Sequence, residues 1–113
     1  MLFKEKHIKL ILNGEKTMTR RLPGKSANYS IGKVYAIRPS RFVKPAGYIL
    51  IIRKFRQKLG QISARDVKKE GYNSLDEFQA AWIKINGSWR PDEIVTCYEF
   101  RLVEKGSAKR GRL

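Results

Sequence analysis

A chain of 113 residues, 42% of them hydrophobic, is enough for one folded domain with a real core and too short for two. It contains no apolar run of about 18 residues, no signal-peptide hydrophobic region and only one cysteine, Cys97, which excludes a membrane span, an internal disulfide and a cysteine-based zinc site and predicts a cytoplasmic protein. The 25 Lys and Arg against 10 Asp and Glu leave a net charge of +15. Self-repulsion on that scale points to a polyanionic partner, and not to an anionic membrane, since no basic amphipathic helix with a broad apolar face is present.

Glu5 to Asn13 reads as a short helix. Ile8, Ile11 and Leu12 recur at i, i+3 and i+4, Glu5 and Lys9 pair across one turn, and Asn13-Gly14 supplies the stop. His7, the only histidine, is read as a surface or boundary residue, because no partner stands near it. The helix ends where Gly14-Glu15-Lys16-Thr17-Met18-Thr19-Arg20-Arg21 begins. If Met18 to Arg21 is extended, Thr19 and Arg21 point to one face, and Met18 and Arg20 to the other. Lys16, just past the Gly14 turn, can fold back toward Thr19 and Arg21. A lysine, a hydroxyl and an arginine at one spot suit a phosphate or another anion. They equally suit a threonine nucleophile activated by lysine. The alternative is a solvated basic turn.

Gly14-x-Lys16-x-x-Thr19-x-Arg21 resembles the signature of the ASCH domain family, Gly-x-Lys-x-x-(Glu or Thr)-x-Arg, at all four positions. With later segments included, the resemblance spans about residues 3–104. It implies a mixed α/β (α+β) fold, a PUA-like β-barrel of about five or six strands with two or three flanking helices. Most members of the family are thought to bind RNA. Some small bacterial members with Thr at the variable position hydrolyse the amide of acetylated cytidine, using a Lys, a Thr and a Glu. Matched by segment, these fall on Lys16, Thr19 and Glu70.

Leu22 to Gly32 reads as a loop, with Pro23-Gly24 as a turn and Tyr29 as an anchor or a stacking surface. Lys33 to Arg38 alternates like a strand. Family members often carry an acid at the position of Lys33, so this chain is more basic there. Pro39 and Pro45 bracket a basic loop holding Arg41 and Lys44. Gly47 to Leu59 is the longest strand candidate. Its apolar run Ile49-Leu50-Ile51-Ile52 predicts burial on both faces. Beyond it, Lys54, Arg56 and Lys58 share one face at intervals of about 7 Å, close to the phosphate spacing of an extended single strand. Ser63 can cap a helix from Ala64 to Lys69 that stops at Glu70-Gly71. Ser74-Leu75-Asp76-Glu77 is a capping box, and Leu75, Phe78, Trp82 and Ile85 line one face of the helix it opens. Trp89 and Arg90 sit in the next loop, Trp89 either capping the barrel end or stacking a base. Ile94 to Glu104 is a strong strand with Cys97 packed on the face opposite Tyr98 and Phe100.

Residues 1–58 hold 15 basic and 2 acidic residues, and residues 59–104 hold 6 and 8. Residues 105–113 are Gly, Ser, Ala, Glu-free and basic, which sets them apart as a flexible tail following a single domain over 1–104. Two functions follow. The first is RNA binding, with DNA second, through Lys16, Arg20, Arg21, Arg38, Arg41, Lys54, Arg56, Lys58, Trp89 and Arg90. The second is an amidohydrolase on a modified nucleoside with Lys16, Thr19 and Glu70 catalytic. Neither a metal nor a cofactor is expected.

Overall fold

The structure, a computed structural model, describes residues 1–24 and 28–104; the expected basic tail at 105–113 lies outside the described residues. In chain order come helix α1 (Glu5–Leu12), strands β1 (Met18–Arg21), β2 (Val34–Ile37) and β3 (Gly47–Lys58), a 3-10 turn at Leu59–Gln61, helices α2 (Ala64–Lys69) and α3 (Leu75–Asn86), and strand β4 (Ile94–Val103). Local chemistry sets the helix ends. The Ser63 hydroxyl accepts from Asp66 N at 3.1 Å and the Ser74 hydroxyl from Glu77 N at 3.2 Å. The Glu77 carboxylate reaches back one residue further than a capping box requires, to Asn73 N at 3.1 Å. Among the described residues no helix is long and apolar enough to cross a membrane.

The strands form one antiparallel sheet in the order β1-β4-β3-β2. The expected α+β fold with flanking helices is present; in place of a barrel of about five or six strands, the described residues form a curled four-stranded sheet, a half-barrel, with three α-helices. Its edges, β1 and β2, do not pair. The N-terminal residues occupy the gap instead. Leu2 makes a parallel bridge to Arg38 at the end of β2, and the Arg21 guanidinium of β1 donates to the Leu2 carbonyl at 2.8 Å. A side-chain bond thus spans the opening that a backbone ladder would have closed.

β4 carries a core on each face, because alternate residues of a strand point to opposite sides. Tyr98 and Phe100 pack with Ile49, Ile51, Phe3 and α1 residues Ile8 and Ile11. Val95 and Cys97 pack with Leu59, Val67, Phe78 and Trp82, beneath α2 and α3. Three apolar expectations are corrected. The run at Ile49–Ile52 is not buried throughout: a bulge between Ile51 and Arg53 turns Ile52 outward, 46% exposed. Leu12 on α1 and Leu75 and Ile85 on α3, all at or next to a helix end, are also exposed, so Phe78 and Trp82 carry the buried face of α3.

Candidate active site

Lys16 is fixed before its side chain is considered. Gly14, at φ +78°, reverses the chain at the end of α1, and the Glu15 and Lys16 amides both donate to the Leu10 carbonyl. Thr17 N then donates to Lys69 O at 2.8 Å, tying this turn to the end of α2. The Lys16 side chain is driven inward, 2% exposed. Its amine donates to the Glu70 carbonyl oxygen at 2.7 Å and to Glu70 Oε1 at 3.4 Å.

The same carboxylate holds Arg20. Arg20 Nη1 donates to Glu70 Oε2 at 3.1 Å, and Nη2 donates to Asp66 Oδ2 at 3.1 Å and Gln57 Oε1 at 2.8 Å. Two cations therefore meet two carboxylates from one face of α2, which is how such charges tolerate burial. Arg20 Nε is left buried without a partner. Desolvation lowers the Lys16 pKa below the usual 10.5, against the pull of Glu70, with Arg21 and Arg20 lowering it further.

Lys16, Thr19, Arg21 and Glu70 line one cavity of about 380 Å³ beside edge strand β1. Thr19 is 6% exposed and shares its strand face with Arg21, since their partners on β4 are Tyr98 and Thr96. His7 and Tyr72, hydrogen bonded at 2.9 Å, also line this cavity. Burial and nearby cations lower the His7 pKa to about 4, and burial with the Glu70 charge raises Tyr72 to about 12. At neutral pH the pair is therefore a protonated Tyr72 hydroxyl sharing a hydrogen bond with a neutral imidazole.

Among solved structures, the chain superposes on the ASCH domain from Lactobacillus crispatus JV V101 with a TM-score of 0.73 and 21% identity, over 86% of this chain and 70% of that one. A DUF984 protein from Enterococcus faecalis V583 matches with a TM-score of 0.67 and 16% identity, over 87% and 70%. A mutant ASCH protein from Zymomonas mobilis matches with 0.63 and 15%, over 97% and 75%. The fold is the ASCH fold. No protein-family model and no curated protein matches the sequence.

Within this ASCH fold the residues named from sequence divide into three groups. Lys16, Thr19, Arg21 and Glu70 converge on the cavity, with Arg20 in its wall. Lys54 and Arg56 lie on the sheet face next to it, paired in register with Tyr98 and Thr96. Arg38, Arg41, Lys58, Trp89 and Arg90 line neither that cavity nor its neighbour. Two of the expected nucleic-acid contacts are corrected. Arg20 is 5% exposed with both terminal nitrogens committed to Glu70, Asp66 and Gln57, so it does not reach a phosphate. The Trp89 ring packs edge-on against Phe78 with centroids 6.0 Å apart, capping the second core instead of standing free to stack. Sequence reading missed His7, Tyr72 and Asp66. A signal existed for Asp66: it lies four residues before Glu70, hence on the same helical face.

Proposed function

We propose that the protein is an amidohydrolase that removes the acetyl group from acetylated cytidine. The observation that carries this reading is the fully enclosed Lys16 amine, bound twice to Glu70 and sharing a cavity with Thr19. A neutral amine has two N–H groups and one lone pair. With both N–H groups directed to Glu70, the lone pair is free to take a proton. Thr19 Oγ attacks the acetyl carbonyl carbon as Lys16 Nζ accepts the hydroxyl proton. The Arg21 guanidinium offsets the charge that develops on the carbonyl oxygen. Collapse of the adduct breaks the carbon–nitrogen bond, and the proton passes from Lys16 to the departing exocyclic amine. Water, deprotonated by Lys16, then attacks the acetyl ester on Thr19, and Lys16 returns that proton to Thr19 Oγ as the ester bond breaks, releasing acetic acid, which ionises to acetate, and restoring the hydroxyl. The test is chromatographic detection of cytidine from acetylated cytidine. Thr19→Ala should abolish turnover while leaving the thermal unfolding transition in place, and Lys16→Ala should abolish it with a lowered transition, because Glu70 loses a buried partner. Wild-type protein that yields no cytidine, or a Thr19→Ala variant with full activity, defeats the reading.

A second reading, RNA binding, is supported by a separate observation. Arg56 is exposed, Lys54 stands beside it on the same face of β3, and neither forms an ion pair with a described carboxylate. A cationic sheet face next to a base-sized cavity suits a polymer that inserts one nucleotide.

A further inference from the structure

A second cavity of about 180 Å³ lies against the first and shares Arg21 and Leu22 as a common wall. The pairing register shows how it is built. Arg21, Thr96 and Arg56 form one row across β1, β4 and β3, and Thr19, Tyr98 and Lys54 form the adjacent row on the same face. Alternate residues of a strand lie about 7 Å apart, so the second cavity begins one step from Thr19.

The two cavities differ in charge. Around the first, Lys16 and Arg20 are balanced by Glu70 and Asp66. The second is lined by Arg21 and Arg56 with Thr96 and Tyr98, and by no acid among the described residues. Neither arginine forms an ion pair with a described residue. Arg21 is half-buried, and desolvation lowers its pKa, so its charge stands in a setting that favours an anion at hand. A balanced cavity suits an uncharged base; two guanidinium groups without a described carboxylate partner, Arg21 with Nη2 on the Leu2 carbonyl and Arg56 exposed, flank hydroxyls and suit a phosphate.

We propose that Arg21, Arg56, Thr96 and Tyr98 form a phosphate subsite beside the base cavity, so that the substrate is a cytidine nucleotide, free or within RNA, and not the bare nucleoside. This rests on the base occupying the first cavity. Calorimetric titration with cytidine, its 3′- and 5′-monophosphates and a short cytidine-containing RNA tests it without requiring any chemistry. At least one phosphorylated ligand should bind about tenfold or more tightly than cytidine. Arg56→Gln should bring that ratio close to one. Tight binding of a monophosphate marks a free nucleotide as sufficient, whereas a gain seen only with the RNA marks a phosphate fixed by the polymer. Equal affinity for cytidine and every phosphorylated form, or a preference that survives Arg56→Gln, overturns the subsite. Turnover of the corresponding acetylated ligands is measured separately. A phosphate preference without turnover keeps the subsite and defeats the hydrolase reading, and turnover without a phosphate preference does the reverse.

Discussion

Desolvation outweighs Glu70 in setting the Lys16 pKa, and this fixes the direction of the pH response. A base must be neutral to accept a proton, so hydrolysis should rise with pH through a pKa below 10.5, the usual lysine value. A pH profile of kcat that instead falls over that range would point to a protonated Lys16. His7 gives a stability response. Above pH 6.5 it is neutral in both folded and unfolded chains and contributes no pH dependence. Between 6.5 and about 4 the unfolded chain takes up a proton that the folded chain refuses, so stability falls with falling pH and the decline levels off below about 4. Urea unfolding of wild type and His7→Phe at pH 7, 5.5 and 4.5 should show a steeper decline in the wild type. Arg20 is a structural residue on the same scale. Arg20→Met leaves Asp66 without its cation and Glu70 with Lys16 alone, and should destabilise the protein by about 3–5 kcal/mol in the same measurement.

The placement of Lys16 depends on two turns that flank it in space. Gly71, at φ +100°, follows α2, and a Cβ there would lie 2.9 Å from Leu10 Cδ1 and 3.6 Å from Lys16 Cβ. The left-handed backbone alone makes Gly71→Ala unfavourable by about 1–2 kcal/mol. The variant should therefore lose stability in thermal unfolding and lose activity beyond that loss, because its new methyl group presses on the turn that aims Lys16. Ser74→Ala makes a useful contrast. It removes the α3 cap and should cost about 1 kcal/mol, with activity kept at temperatures where the protein is folded. Sequence reading found these elements because caps, glycine stops and 3.6-residue spacing are local signals. It misjudged Ile52 because a bulge depends on how β3 meets β4, and nothing local marks the residue that will be expelled.

The net charge of +15 acts on the whole molecule. RNA affinity should weaken steeply with salt, with a log–log slope of about −0.7 for each phosphate neutralised on a single strand. Fluorescence anisotropy at several salt concentrations should show Lys54→Gln and Arg56→Gln each flattening that slope, and Arg20→Met leaving it unchanged once the folded fraction is matched. Salt-independent binding would make the charge a matter of solubility alone. The sequence by itself determined the helices, the strands, the Gly14-to-Arg21 signature and the excess of cations, since each depends on neighbours a few residues away. No local spacing linked Glu70, 54 residues away, to Lys16; the resemblance grouped them, and the tertiary structure set the carboxylate against the amine. It also decided that Arg20 is consumed by α2, that His7 faces Tyr72, and that four strands curl without closing. Those outcomes come from desolvation and pairing between groups distant in the chain, whose energies have no counterpart in local spacing.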